Sequence, residues 1–375
     1  MPSRVGRWRL RRYAASSMQM QGQPEDRTAA DGMLFVGLCS LAIGICYADR
    51  ANIADAIIPI SLELGWRASE QGATLSSFFL GYGATQIIGG KLADRHGGKN
   101  VLTSAVLLWS LATLLTPTAA KTGLGPMIAA RVLLGAGEGP AFPAVHSMIS
   151  RAVPSAQQST AVGAITAASY LGSLAAFSIS PYLIRTFSWE SVFLLFGALG
   201  LAFLPVWIAL PRNRVGDAPP APAVEGSWDD TFSELGHLMM KKEVLAIVVA
   251  QYTQSWGLYG LLNWLPSYIE QEFGVQVSDL AYFTALPYLL QGAVGLASGV
   301  IADRWIATGM PVRRCRQLMQ GVGMVMPAVA LCGAAAYAQS AQDATILLSF
   351  GLGASALTLA GVSVSIACPG ERDCA

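Results

Sequence analysis

The chain has 375 residues, 53% of them hydrophobic and only 13% charged, with a formal net charge of +1 and a mean hydropathy of +0.47. Soluble domains carry about 25% charged residues, so this composition excludes a soluble globular protein and describes an all-α, polytopic membrane protein. There is no basic stripe to bind nucleic acid, and no nucleophile–base set, phosphate loop or metal-ligand cluster that would mark an enzyme. Six cysteines (Cys39, Cys46, Cys315, Cys332, Cys368 and Cys374) lie mostly in apolar stretches without metal or disulfide spacing, and read as small apolar core residues.

In chain order, residues 1–32 form a basic tail with Arg4, Arg7, Arg9, Arg11 and Arg12 and no acid before Glu25. It has no apolar core and is not a secretory signal peptide; it is either a cytoplasmic tail or an Arg-rich organellar transit peptide. Apolar runs long enough to cross a ~30 Å hydrocarbon core follow near 33–60, 72–93, 101–119, 125–149, 159–184 and 191–210, then near 244–269, 280–302, 317–339 and 344–367. The expected organisation is a six-helix N-terminal bundle (33–210), a cytoplasmic linker (211–243), a C-terminal bundle of four helices (244–367) and a short tail (368–375). In the linker, Trp228, Phe232, Leu235 and Met239 recur at helical spacing, as in a helix lying along the membrane interface. Basic loops around Lys91–Lys99, Arg212–Arg214 with Lys241 and Lys242, and Arg304–Arg316 alternate with loops poor in Lys and Arg, which places the N-terminus inside.

Gly89-Gly90-Lys-Leu-Ala-Asp94-Arg95 recurs as Ser298-Gly299-Val-Ile-Ala-Asp303-Arg304, both copies between the second and third spans of their half. Repeated half-bundles with substrate held between them are a transporter architecture. A charge near mid-membrane costs roughly 2.5–3.5 kcal/mol and marks a functional position by default. In the first span Asp49 and Arg50 are adjacent, within the string Tyr47-Ala-Asp49-Arg50-Ala-Asn52. Neighbours on a helix point about 100° apart, so the two cannot both be satisfied by each other. In the fourth span Arg131 and Glu138 share one face about 10 Å apart along the axis, followed by Pro140, Pro143 and His146. Tyr82 and Gln86 in the second span, and Tyr259 and Asn263 in the seventh, stand at i, i+4, where each pair faces one side. Asn263 and Pro266 mark a place where the seventh helix is expected to bend or open.

The loop string GGKLADRHGGKNVL from Gly89 to Leu102 resembles the loop motif of the major facilitator superfamily. YADRAN from Tyr47 and the fourth-span pattern from Arg131 through Glu138 to Pro143 resemble its anion:cation symporter branch, most closely the plant organellar phosphate and anion carriers; vesicular glutamate transporters and sialin are related. Supporting strings are Ser77-Phe-Phe-Leu-Gly-Tyr, Leu261-Leu-Asn-Trp-Leu-Pro-Ser-Tyr and Arg316-Gln-Leu-Met-Gln-Gly. The resemblance implies a major facilitator fold and secondary active transport of an anion, inorganic phosphate favoured, with a dicarboxylate, sugar acid or ascorbate as the alternative. It implies Arg50 and Arg131 as anion-attracting residues and Tyr47, Tyr82, Tyr259 and Asn263 as polar contacts. Asp49 and Glu138, with His146 nearby, would couple transport to Na⁺ or H⁺, and Gly90, Asp94, Arg95, Gly299, Asp303 and Arg304 would form the gating motif. No cofactor beyond the coupling ion is implied, and a monomer in a plastid or other organelle envelope, or otherwise the plasma membrane, is expected. Two departures stand out. The acid–base pair usual after the fourth span is replaced by Gln157 and Gln158, and the C-terminal bundle holds four helices where family members have six, so an inactive, truncated membrane protein is the rival reading.

Overall fold

The structure, a computed structural model, describes residues 29–210, 233 and 236–360, and every regular element among them is helical. The N-terminal half contains α1 (Ala29–Leu64), α2 (Ala68–His96), α3 (Gly98–Thr122), α4 (Leu124–Glu138), α5 (Ala141–Ala152), α6 (Ser155–Thr186) and α7 (Trp189–Ala209). The C-terminal half contains α8 (Lys242–Phe273), a 3₁₀ turn (Val277–Asp279), α9 (Leu280–Ala307), α10 (Val312–Tyr337), α11 (Ala341–Ser355) and a closing 3₁₀ segment (Ala356–Ala360). Six of these segments are long and apolar enough to cross a membrane by length and composition alone: Gly32–Leu64, Gly98–Thr122, Thr160–Thr186, Trp189–Ala209, Val277–Ala307 and Val312–Tyr337. Among the described residues the other expected spans do not meet that test: α2 and α8 carry more polar residues, the fourth span is divided into α4 and α5, and α11 has 15 residues. The basic tail, most of the expected interfacial helix with Trp228, Phe232 and Leu235, and the residues after 360 lie outside the described residues.

Two expectations are revised. The fourth span is two helices, α4 and α5, parted at Gly139 and Pro140; proline has no N–H for the helical ladder and its ring crowds the carbonyl four residues back. The seventh span does not open at Asn263: α8 is continuous through Pro266.

Because lipid tails are as apolar as leucine, helices in a bilayer associate by close packing of small residues. The fourth span shows this on two sides. A Cβ on Gly135 would lie 2.0 Å from the Phe78 carbonyl oxygen of α2, and one on Gly81 would lie 2.0 Å from that of Val132. Gly137 packs on the other side, where a Cβ would meet the Trp109 backbone nitrogen of α3 at 2.8 Å. The first motif copy joins this seam, since a Cβ on Gly89 would lie 2.5 Å from the Pro140 Cα and one on Gly90 would lie 3.7 Å from the Pro143 Cβ, whereas one on Gly299 in the second copy would meet nothing within 4 Å. α1 packs chiefly along α6, with Gly172 against the Gly44 backbone. The halves meet where α9 lies on α6 and α8 on α1.

A methyl group at Gly135 has no room, so Gly135→Ala is expected to destabilise the protein by the roughly 1–3 kcal/mol of core overpacking. Gly163→Ala in α6, with nothing within 4 Å, is expected to leave stability unchanged or slightly raised. Thermal unfolding of the two variants in the same detergent measures the difference.

Candidate functional site

The close seating of α4 between α2 and α3 leaves its third side for Arg131 and Glu138, both 1% exposed. α4 ends at Glu138, which turns toward α1. There the Arg50 Nε and Nη2 both donate to Glu138 Oε2, at 2.9 and 2.8 Å. The third guanidinium nitrogen, Nη1, donates to the Tyr259 hydroxyl of α8 at 3.0 Å. Aromatic rings enclose the cation: the Arg50 Cζ lies 4.5 Å from the Tyr47 ring centroid, 4.6 Å from Tyr82, 4.9 Å from Phe78 and 5.7 Å from Tyr259. A guanidinium over ring faces gains an electrostatic attraction that desolvation strengthens. One residue of α1 thus ties α2, α4 and α8 together across both halves.

The adjacent carboxylate turns away, as the 100° step between helical neighbours requires. Asp49 is buried, and neither of its oxygens accepts a hydrogen bond; Thr113 and Arg131 are within its electrostatic reach. Arg131 stacks 5.4 Å from the Phe78 centroid, and its Nε is buried without a hydrogen-bond partner. The second Glu138 oxygen, Oε1, is equally unpartnered. The site therefore holds two cationic and two carboxylate side chains, yet only one close ion pair is formed among the four, Arg50 with Glu138.

A cavity of about 1040 Å³ opens between α2, α8, α10 and α11. Tyr82, Tyr259 and Asn263 line it together with Phe79, Trp256 and Trp264. Arg50 itself, 2% exposed, is not in its wall; Tyr82 and Tyr259, which touch the guanidinium, are. Asn263 faces the cavity as the sequence suggests, while its amide donates to the Tyr259 carbonyl at 2.8 Å. Tyr47 packs edge-on against Phe142 at 5.9 Å. His146, on α5 beyond the break, takes no part in the Arg50–Glu138 contacts; it is exposed, with its ring edge-on to Phe142 at 5.8 Å.

The motif residues lie elsewhere. Asp94 accepts from Arg151 Nη2 at 2.9 Å and from Ser147 Oγ at 3.0 Å, so α5 supplies a basic partner even though the usual acid–base pair after the fourth span is missing. Buried Lys99 donates its ammonium to the Ile208 and Leu210 carbonyls, satisfying carbonyls that the end of α7 leaves unpaired. Arg95, Asp303 and Arg304 are exposed, and none forms an ion pair among the described residues.

Two residues were not singled out from sequence. Phe78, which contacts both arginines, stands at i, i+4 to Tyr82 and stacks on it at 5.6 Å, a spacing legible in the string. Asp55, in the first span, is fully buried with both oxygens unpartnered, and the cost argument that singled out Asp49 applies to it equally.

Comparison with known proteins shows what the chain as a whole is similar to. The chain is 36% identical over 317 residues to the rice (Oryza sativa subsp. japonica) "Probable anion transporter 1, chloroplastic", covering 82% of this chain and 59% of that protein. It is 35% identical over 311 residues to the Arabidopsis thaliana "Sodium-dependent phosphate transport protein 1, chloroplastic", covering 79% and 59%. It is 34% identical over 304 residues to the Arabidopsis thaliana "Ascorbate transporter, chloroplastic", covering 79% and 56%. The chain thus spans less than two thirds of the length of each of these relatives. Among solved structures, an inward-facing, unoccupied bacterial homologue of the human lysosomal transporter Spinster superposes with a TM-score of 0.71 at 18% identity, covering 93% of this chain and 78% of that one. With the family profile matched from residue 39 to residue 372, the chain belongs to the Major Facilitator Superfamily.

Proposed function

We propose that this protein is a secondary active carrier of an anion, with inorganic phosphate the favoured substrate, coupled to H⁺ or Na⁺. The observation that carries the reading is the placement of Arg50: a buried guanidinium held by one carboxylate oxygen of Glu138, and reached from the other half by the Tyr259 hydroxyl.

The chemistry follows from competition for one cation. Glu138 occupies Nε and Nη2, the two donors a phosphate or carboxylate would take side by side. While Glu138 is ionised and bound there, an incoming anion meets an already neutralised site. A proton on Glu138, or a Na⁺ against it, removes that competitor and leaves Arg50 as an uncompensated buried charge, which is costly until an anion joins it. Anion and cation therefore favour each other's binding, the linkage that symport requires. Tyr259 reports occupancy to α8, because its hydroxyl exchanges Arg50 for the anion as partner. Arg131 and Asp49, buried nearby but not paired with each other, are a second cation and carboxylate for the same exchange, with Tyr47, Tyr82 and Asn263 as polar contacts. The Asp94–Arg151 contact is broken and remade as the halves rock. An organic anion is the second reading, favoured by the similarity to an ascorbate transporter. A plastid envelope is the proposed location, on the same relatives.

Uptake of labelled phosphate and of labelled ascorbate into proteoliposomes, under a Na⁺ or pH gradient, tests the proposal. The wild type should accumulate one of them, and Arg50→Ala should lower uptake at least about 10-fold, the loss of charge-assisted hydrogen bonds of about 1.5–3 kcal/mol; gradient-independent or absent wild-type uptake refutes it.

Glu138→Gln should abolish gradient-driven accumulation while sparing anion exchange, since the amide keeps the shape but cannot gain or lose a charge. Equal loss of both modes would make Glu138 structural. Tyr259→Phe keeps the ring and removes one hydrogen bond to a charged partner, worth about 1.5–3 kcal/mol, and should raise the apparent KM at least about 10-fold.

A further inference from the structure

Asp55 has no place in the site described above. It follows Arg50 by five residues, which at 100° per residue turns it about 140° away and roughly 7.5 Å along the helix. Its exposure is 0%, and neither carboxyl oxygen has a hydrogen-bond partner. Asn52, one turn earlier, is likewise fully buried with both amide atoms unpartnered. On this side α1 packs against α6, where Ala48, Ala51 and Ala54 share one buried cluster with Phe177 of α6 and Tyr288 of α9.

The surroundings contain no compensating charge. α6 offers Ser180, whose hydroxyl is buried and unpartnered; its one nearby basic residue, Arg185, is exposed in the last turn. α9 offers Tyr288, 2% exposed, its hydroxyl unpartnered and within electrostatic reach of Asp55. The charged groups of α7 are engaged elsewhere, Glu190 with Lys121 at 2.5 Å. On α8 the Tyr259 hydroxyl is taken by Arg50, and on α1 itself Glu63 accepts from the Trp189 indole at 2.6 Å. An ionised carboxylate with neither partner nor cation bears a large desolvation cost in such a place.

The position of Tyr288 supplies the mechanism. It stacks on Phe177 with centroids 4.9 Å apart and planes 18° from parallel, so the ring that covers this side of α1 belongs to the other half of the molecule. Asp55 therefore lies at a seam between the two halves, covered by Tyr288 and α9 from one and by α6 from the other.

We propose that Asp55 is a second proton-carrying site, independent of the Arg50–Glu138 pair, loaded when α9 closes over it and emptied when the halves part. Hydronium on one side of the membrane gives up a proton, leaving water, and the carboxylate forms its O–H bond as the seam closes. That bond breaks to water on the other side as the seam reopens. The coupling role rests on the carrier reading above; the presence of an exchangeable proton on Asp55 does not.

Infrared spectroscopy of the purified full chain tests the proton directly. The wild type should show carboxylic acid C=O absorption that shifts when H₂O is replaced by D₂O, and the difference spectrum between wild type and Asp55→Asn, similar in size and uncharged, should isolate the Asp55 component from any that the equally unpartnered Asp49 contributes. Asp49→Asn and Glu138→Gln should retain it. A spectrum unchanged by Asp55→Asn, or a band that D₂O never shifts, overturns the proposal. Asp55→Glu, which restores the acid, should restore the band and guards against a folding defect in the first variant. In proteoliposomes, the number of protons moved per anion should fall in Asp55→Asn relative to wild type, with exchange preserved; an unchanged ratio overturns the coupling role. A wild type that moves no anion refutes the carrier reading, while the infrared result still decides whether Asp55 holds an exchangeable proton.

Discussion

The buried contact between Arg50 and Glu138 is the constraint around which the other features are arranged. Removing a guanidinium and a carboxylate from water costs several kcal/mol per ion, and mutual attraction repays this only when geometry is good and the remaining donors are satisfied. Here Glu138 takes two donors, Tyr259 takes a third, and four aromatic rings cover the faces of the cation. Replacing a buried ion pair by apolar residues of similar volume is often neutral or stabilising. A pair that is expensive to keep and more expensive to break is suited to being traded, ion for ion, against a ligand.

Small residues make that contact possible. Gly81, Gly135 and Gly137 let α2, α3 and α4 approach until side chains have no room, and the break at Gly139 and Pro140 ends α4 where Glu138 meets α1. The motif glycine Gly89 belongs to the same seam through Pro140. A loop sequence read as gating machinery is therefore in direct packing contact with the break that ends α4 at Glu138. In the second half the corresponding Gly299 meets nothing within 4 Å, so the sequence repeat is not matched by a repeat in packing among the described residues.

Much of the fold is legible in the chain because hydrophobic length and loop charge are local properties. The spans fall close to their expected places: 72–93 lies within α2 at Ala68–His96, and 280–302 within α9 at Leu280–Ala307. The misjudged points concern proline. Pro140, next to a glycine, parts the fourth span, while Pro266 is accommodated in a continuous α8; whether a proline breaks a helix in lipid depends on what neighbouring helices offer the freed carbonyl, which is not a property of the string.

The sequence by itself determined that Asp49, Arg50, Arg131 and Glu138 had to be functional or paired, because a charge in hydrocarbon has a cost that composition alone reveals. It also determined that Asp49 and Arg50 must part company, since helical geometry fixes the angle between neighbours. Only the tertiary structure decided the partners. Glu138 pairs with Arg50, 88 residues away, although Arg131 shares its own helix; Phe78 joins both arginines; and His146, two turns beyond Glu138, stays outside. The reason is physical: burial cost belongs to a residue and its span, whereas pairing depends on how closely glycines let neighbouring helices approach, which no single helix specifies.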